Sequence, residues 1–403
     1  SGRSVIAVSG RDGDTLWRYS RYQYWGWVYS VRSIGDIDGD SVPDVLGGSG
    51  TTTDSAGAAV LVSGRTGQAI WLRRMYDDGV GSVAPFADVN GDQLPDVLVG
   101  AGGNSRSDSV LCLCGVTGAT IWRTRAAASV SDVERIRDVN NSGTDDAVAG
   151  GWDYAVYCLE GSTGDVIWST PLGTARVVME VVPVRDVNGD GADDVVVGSW
   201  SQMVTVLSGR DGATVWNGYL ASDVWAVDTL ADVTGDGVPE IVAGCLGNGN
   251  GMVRVFAGSS GDVLWQYSFS ERVYDVTGAP DMNGDGRPDV LVGLQDQGHE
   301  PAHLLLFDGA PPSPVAEPTG CNTSGLRYDP VTGRLCLEVN TSRAYRLGLY
   351  DRSGRMAGRT IVGTGPVEHQ VQVSGLTPGV CFARLWIAGR EEKTLKFVVP
   401  RRK

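Results

Sequence analysis

The feature that most constrains this chain is an acidic nonapeptide that returns six times in register. It reads DIDGDSVPD (36–44), DVNGDQLPD (88–96), DVNNSGTDD (138–146), DVNGDGADD (186–194), DVTGDGVPE (232–240) and DMNGDGRPD (281–289), at intervals of 46 to 52 residues. Five residues before each first Asp stands a valine: Val31, Val83, Val133, Val181, Val227 and Val276. Twelve residues after it stands a glycine: Gly48, Gly100, Gly150, Gly198, Gly244 and Gly293. A second motif, G-x-x-G-x-x-x-W, interleaves with the first and ends at Trp17, Trp71, Trp122, Trp168, Trp216 and Trp265. Short apolar runs such as VIAV (5–8), AVLV (59–62) and VTVL (204–207) precede it.

One repeat therefore reads as four strands. Strand A runs into the acidic loop, and strand B leaves it (DVLVG, 96–100). Strand C precedes the two glycines, which supply the positive φ of a tight hairpin. Strand D carries the tryptophan, a flat side chain suited to packing between neighbouring blades. Four short strands per ~45–50 residues in tandem is the pattern of propeller blades. A solenoid uses shorter repeats, and stacked sandwiches need roughly 100 residues each. The expected fold is all-β: a six-bladed β-propeller over 1–309, with seven blades as the alternative, followed by a small β-sandwich. Under six blades the first hairpin (5–17) closes the ring beside strands A and B of the last repeat. A further C-like strand, HLLLFDG (303–309), either completes the last blade, is surplus, or belongs to a seventh.

The acidic loops predict cation binding. Ca²⁺ takes six to eight oxygens with modest demands on geometry, and a loop offering side chains at positions 1, 3, 5 and 9 with a carbonyl at 7 can wrap it. The first loop offers Asp36, Asp38, Asp40 and Asp44 with the Val42 carbonyl, and the second Asp88, Asn90, Asp92 and Asp96 with Leu94. The fourth offers Asp186, Asn188, Asp190 and Asp194 with Ala192, and the sixth Asp281, Asn283, Asp285 and Asp289 with Arg287. In the fifth, Asp232 and Asp236 stand with Thr234 at position 3, Glu240 at position 9 and the Val238 carbonyl, so weaker binding is expected. The third (Asp138, Asn140, Ser142, Asp146) lacks the acid at position 5 and has Asn141 in place of glycine, so its occupancy is open. Net charge is −15; five ions would take it to −5 and six to −3. Without metal, such carboxylates repel and the protein loses stability. Mg²⁺ fits less well, since it prefers octahedral sites that keep water.

The DxDGDxxxD–hydrophobic–G pattern resembles the FG-GAP repeats of integrin α-subunit propellers and their bacterial relatives. The GxxGxxxW hairpins resemble the tryptophan-docking motif of quinoprotein-like propellers. Together these resemblances cover residues 1–309 and imply five or six calcium ions and a propeller face available for ligands.

APPSPVAEP (310–318) reads as a stiff linker, placed at 310–319, ahead of a domain at 320–403. There RLCLEV (334–339), YRLGLYD (345–351), EHQVQV (368–373), GVCFARLWI (379–387) and LKFVV (395–399) alternate between turns, as in a seven- or eight-strand sandwich. YRLGLYDRSGRM (345–356), SGLTPGVCFARL (374–385, with Cys381 where tyrosine is usual) and the basic end Arg401, Arg402, Lys403 resemble the C-terminal sorting domain of type IX secretion substrates. That resemblance implies export to the bacterial surface. A generic carbohydrate-binding or fibronectin-like sandwich fits the strands as well.

The acidic balance disfavours nucleic acid and anionic membranes as partners. No run of 18 apolar residues exists, so no transmembrane segment is expected. The chain opens on Ser1 without a signal-peptide pattern, so a removed leader or trimmed terminus is expected. The seven cysteines fit no CxxC pattern and stay open between buried thiols and disulfides. His299–Glu300–Pro301–Ala302–His303 matches HExxH, but Pro301 and the following strand deny it the helix that zinc ligation needs. The aromatic run YQYWGWVY (22–29) could form a sugar shelf or pack between blades. A calcium-stabilised, non-enzymatic protein of the extracellular space or bacterial surface is expected, acting in adhesion or as a structural subunit. It would associate with itself, or with another surface protein or glycan. The alternative is a glycan-active propeller enzyme such as a polysaccharide lyase, which would show Arg, Tyr or His converging on one deep face. A quinone-dependent dehydrogenase fits less well, because the tryptophan motif alone makes no cofactor site.

Overall fold

A computed structural model describes residues 3–309 apart from 21–25, 52–56, 76–77, 104–107, 174–175, 248–250, 270, 283–285 and 296–302. In the C-terminal part it describes the strands between 325 and 399. The chain divides into two compact units, Ser1–Pro311 and Pro312–Lys403. No described helix is long and apolar enough to cross a membrane.

The first unit is a β-propeller. A hairpin of β1 (Val5–Val8) and β2 (Thr15–Tyr19) comes first. Blade 1 follows as β3 (Val28–Ser33), β4 (Val45–Ser49), β5 (Gly57–Val62) and β6 (Ala69–Met75). Blade 2 is β7 (Gly79–Pro85), β8 (Val97–Gly102), β9 (Ser109–Leu113) and β10 (Thr120–Arg125). Blade 3 is β11 (Val130–Ile136), β12 (Asp146–Gly151), β13 (Ala155–Leu159) and β14 (Val166–Pro171). Blade 4 is β15 (Val178–Val184), β16 (Asp194–Ser199), β17 (Met203–Leu207) and β18 (Thr214–Tyr219). Blade 5 is β19 (Val224–Leu230), β20 (Glu240–Cys245), β21 (Gly251–Phe256) and β22 (Val263–Phe269). The last sheet has three described strands, β23 (Arg272–Ala279), β24 (Asp289–Gln295) and β25 (His303–Asp308). Every pairing is between sequence neighbours and antiparallel, as four-stranded meanders require.

At the ends, one of the alternatives for 303–309 holds and the placement of the first hairpin needs correction. HLLLFD pairs with β24 as a true third strand. The first hairpin therefore cannot lie beside strand B of the last repeat; β1 and β2 stand as a two-stranded sheet of their own.

The repeated valine explains how blades stack. Val83, Val133, Val181, Val227 and Val276 are at most 3% exposed and pack between adjacent sheets. Burying such a side chain stabilises by about 1.5–3 kcal/mol. Each tryptophan then pins one sheet to the next. The indole Nε1–H donates to the carbonyl of the first hairpin glycine of the following blade: Trp17 to Gly64 at 2.6 Å, Trp71 to Gly115 at 2.6 Å and Trp122 to Gly161 at 2.8 Å. Trp168 reaches Gly209 at 2.7 Å, Trp216 Gly258 at 2.8 Å and Trp265 Gly309 at 2.8 Å. The second hairpin glycine lies under the same indole at positive φ; a Cβ on Gly67 (φ 69°) would come within 2.8 Å of Trp17. The motif therefore needs glycine twice, for the turn and for the indole above it.

The second unit has two antiparallel sheets: β26 (Gly325–Asp329), β27 (Arg334–Val339) and β30 (Val367–Gln372), and β29 (Ile361–Thr364), β28 (Ala344–Asp351), β31 (Gly379–Ile387) and β32 (Arg390–Val399). The YRLGLYD, GVCFARLWI and LKFVV segments form strands β28, β31 and part of β32.

Candidate metal-binding loops

Each acidic nonapeptide joins the end of an inner strand A to the start of strand B, and its backbone takes one conformation in every described copy. Position 4 has positive φ at Gly39, Gly91, Asn141, Gly189 and Gly235. Position 6 does so at Ser41, Gln93, Gly143, Gly191, Gly237 and Gly286. Ser41, Gln93 and Asn141 enter the left-handed region against the preference of L-residues, so the loop geometry overrides local propensity there.

The first Asp organises the turn. Asp36 Oδ1 accepts from the amides of Gly39 (2.8 Å) and Asp40 (3.0 Å), and Oδ2 from Ser41 (2.7 Å). Asp88, Asp138, Asp186, Asp232 and Asp281 accept from the position-6 amide in the same way, at 2.7–2.8 Å. These amides hold Asp138 and Asp232 below the usual carboxylate range. The fifth residue accepts from the seventh: Asp40 from Val42 at 2.9 Å, Asp92 from Leu94 at 3.0 Å, Asp190 from Ala192 at 2.8 Å and Asp236 from Val238 at 2.9 Å. In the first loop the carboxylate oxygens of Asp36, Asp38 and Asp40 lie within 4.8 Å of one another. Anionic oxygens at that spacing on a tight loop are a donor set for a hard cation. Asn283 and Asp285 of the sixth loop lie outside the described residues.

The ninth residue does more than a ligand would. Asp44, Asp96, Asp146, Asp194, Glu240 and Asp289 are all 0% exposed. Asp44 accepts from Ile37 in its own loop at 2.9 Å and from Gly64 of the C–D hairpin at 2.9 Å. Asp96, Asp146, Asp194 and Glu240 make the same pair of bonds, which tie loop to hairpin. Burial pushes the Asp146 carboxyl up to about 6 and raises those of Asp96 and Asp194. Asp194 accepts two bonds on each oxygen, and Asp96 lies within 4.8 Å of Asp92 and the Cys114 Sγ.

The residues that close strand C come within reach of the loop, and the nonapeptide pattern does not reveal them. Arg65 pairs with Asp40 at 3.2 Å, Arg210 with Asp190 at 3.6 Å, and Ser259 donates to Asp236 at 2.6 Å. In the third loop the contact comes from Glu160, one residue before the hairpin glycine, where Ser63, Cys114 and Ser208 stand in other blades. Its carboxylate accepts from the Ser142 hydroxyl at 2.9 Å and from Asn140 Nδ2 at 2.5 Å. An acid absent from position 5 is thus present beside it, contributed by the neighbouring hairpin.

The inner strands carry a second set of charges. Asp132, Glu134, Glu180, Asp228 and Asp275 line the channel with Arg32, which spans from blade 1 to Glu134 of blade 3 at 3.0 Å. Asp132 accepts from the Val181 amide at 3.0 Å and Glu180 from the Val227 amide at 2.8 Å, which links successive blades. Burial and neighbouring carboxylates push Glu134 up to about 7 and raise Glu180 and Asp275, and burial raises Asp132. At the end of the strands away from the acidic loops, Trp152, Trp200, Trp225 and Tyr274 form an edge-to-face chain across four sheets, with centroids 5.8–6.1 Å apart. Trp27 and Tyr29 are exposed, whereas residues 22–25 of the same run lie outside the described residues. The HExxH segment falls there too, except for His303, which opens strand β25. Among the described residues, Cys112, Cys114, Cys158 and Cys245 are free thiols.

Residues 106–299 match a family model described as outer membrane protein assembly factor BamB. No curated protein matches the sequence. A solved structure of BBS1N in complex with ARL6DN, soaked with lead, is similar with TM-score 0.54 at 12% identity, over 76% of this chain and 85% of that chain. BamB from Moraxella catarrhalis is similar at 17% identity over 84% of this chain and 89% of that chain, with TM-score 0.47. The WD40 β-propeller domain of Doa1 is similar at 18% identity over 76% and 90%, with TM-score 0.48. At 12% identity the first of these likenesses concerns the fold alone. The repeats of this chain resemble those of the BamB model over the matched span, in a chain whose fold is a β-propeller.

Proposed function

We propose that the first unit is a calcium-stiffened, non-enzymatic propeller that acts outside the cell or on a bacterial surface, as an adhesion module or a structural subunit. The observation that carries this reading is the set of acidic loops, five described in full with one backbone conformation and a sixth in part, whose carboxylates are gathered by amides at one end of the blades. Asp36, Asp38 and Asp40 would hold an ion in the first loop, and the matching residues would do so in the others. Calcium would supply cross-linking between strands A and B and would relieve carboxylate repulsion. The aromatic chain at the other end, exposed at Trp152 and Trp200 and half-buried at Trp225 and Tyr274, offers a contact surface of the kind adhesion needs. The acid-lined channel works against the lyase alternative, because it would repel an anionic polysaccharide. The likeness to a model described as an assembly factor also suits a scaffold better than a catalyst.

The reading is tested by terbium luminescence and calorimetric calcium titration of the purified chain. Thermal melts and electron microscopy would accompany them, with calcium and after EGTA. Five or six sites, a Tm lowered by chelation, and fibres or sheets that dissolve on chelation are expected. A chain that binds no calcium would overturn the metal reading. Monomers under both conditions would overturn the assembly reading and direct work to adhesion and glycan binding.

A further inference from the structure

The residue that closes strand C, one place before the hairpin glycine, changes its chemistry from blade to blade. It is Ser63, Cys114, Glu160, Ser208 and Ala257 in blades 1 to 5. The fold holds it beside the acidic loop, because the ninth carboxylate of the loop accepts from the amide of that glycine, as Asp96 does from Gly115 at 3.0 Å. Ser208 Oγ thus reaches the fifth-position Asp190 at 3.3 Å, and Glu160 reaches Ser142 at 2.9 Å. In blade 2 the same place holds a thiol.

Cys114 Sγ lies 3.7 Å from Asp92 Oδ2. That sulfur and a carboxylate oxygen from each of Asp92 and Asp96 lie within 4.8 Å of one another. The sulfur–oxygen spacing is that of two ligands on one small ion. With metal–sulfur near ~2.3 Å and metal–oxygen near ~2.0–2.2 Å, tetrahedral neighbours stand about 3.5–3.7 Å apart. The donors are also held in place. Asp96 accepts from the Val89 and Gly115 amides, and Asp92 accepts from Leu94 on Oδ1, which leaves Oδ2 turned to the sulfur. Calcium takes oxygen donors, whereas thiolate suits zinc. Among the described residues Cys114 is the half-buried thiol, and Cys112, Cys158 and Cys245 are buried. Burial pushes the Cys112 and Cys158 thiols up, away from the thiolate a metal needs.

We propose that the second acidic loop is a site for a divalent cation of the zinc class, held by Cys114, Asp92 and Asp96, and that it takes this ion in preference to calcium. The inference rests on the reading of the acidic loops as metal sites and gives one of them a different ion. The Cys114 thiol releases its proton to solvent as the metal–sulfur bond forms. Three protein ligands suffice, with solvent as the fourth. Ser63 and Ser208 put oxygen at the same place in blades 1 and 4, so those loops keep the preference for calcium.

The test strips the full chain of metal, returns it to excess calcium and titrates it with Co²⁺ as a coloured stand-in for Zn²⁺. One equivalent should raise a thiolate-to-cobalt charge-transfer band, which Zn²⁺ removes and further calcium does not. One equivalent of Zn²⁺ should also slow alkylation of Cys114 by iodoacetamide at least roughly tenfold, read by peptide mapping, whereas calcium alone should not. Cys114→Ser keeps a donor to Asp92, so the chain should fold; it should lose the band and leave calcium binding at the other loops unchanged. Asp92→Asn should weaken Co²⁺ binding at least roughly tenfold. The proposal fails if the band survives Cys114→Ser, if calcium protects Cys114 as well as zinc does, or if zinc leaves its alkylation unchanged. Terbium luminescence at the other loops separates the two readings. Filled loops with no zinc effect at Cys114 would remove this inference alone, and a cobalt–thiolate band with no terbium site would remove the calcium reading alone.

Discussion

At the scale of single residues, Glu160 decides how the third loop should behave. Its carboxylate sits 2.9 Å from the Ser142 hydroxyl, beside the place where the complete loops have their fifth-position acid. If the loops take calcium as proposed, Glu160 restores the anionic charge that Ser142 removes, and the third loop binds. Glu160→Gln should then weaken terbium or calcium binding at one site roughly tenfold and leave the others unchanged. Adding Ser142→Asp to that variant should restore the site, because the acid returns to its usual place. Unchanged titration of Glu160→Gln would show that Glu160 serves only to order the loop. Trp168 makes a second prediction of known size. It is 8% exposed and bonded to Gly209. Trp168→Phe should cost on the order of 1 kcal/mol for the lost hydrogen bond, and Trp168→Ala about 3–5 kcal/mol, both readable in denaturant melts.

At the scale of the element, the inner strands concentrate acids where the fold can least hydrate them. Glu134 on β11 is raised from its ordinary 4.5 to about 7 by burial and by Asp132, against the attraction of Arg32. Glu180 on β15 is raised by burial and by Asp132, Asp275 and Asp228. A carboxyl raised on folding binds more protons in the folded chain, so its contribution to stability is full below 4.5. That contribution declines as pH rises toward 7 and stays lost above. Glu134→Gln should therefore raise stability at pH 8 relative to wild type, by on the order of 1 kcal/mol once the lost Arg32 contact is allowed for, and change it little at pH 4. Comparing variant with wild type at each pH cancels the opposite trend of the acidic loops. An equal effect at both pH values would mean that Glu134 is not raised. The strands themselves were legible in sequence, because valine spacing, paired glycines and tryptophan recur together. The nonapeptides were legible as loops for the same reason. What the sequence hides is cross-strand register. The ninth acid reads as a ligand, yet its bond to the hairpin glycine depends on which residue strand C brings opposite. Glu160 and Arg65 lie outside the nonapeptide, so no spacing within it points to them. The channel acids fall on strand positions that alternate with the valines, where a sequence reading expects solvent.

At the scale of the whole molecule, charge is divided between the two units. Residues 1–311 carry 19 Lys and Arg against 41 Asp and Glu, a net of −22, while residues 312–403 carry 14 against 7, a net of +7. All three lysines belong to the second unit. Six calcium ions would still leave the propeller at −10. An acidic unit joined to a basic one attracts further copies of itself head to tail, which suits a structural subunit better than a solitary binding module. Such attraction is long-ranged only at low salt, since the screening length falls from about 10 Å at 0.1 M to about 3 Å at 1 M. Light scattering should therefore show association at roughly 0.05 M salt that weakens steeply by roughly 0.5 M, with calcium held constant. Reversing charge at Lys393 and Lys396 should weaken it as well, because both lie on β32 of the basic unit. Association indifferent to salt would place the contact on apolar surfaces instead, such as the aromatic chain of Trp152, Trp200, Trp225 and Tyr274. Salt dependence thus separates an electrostatic contact between copies from an apolar one.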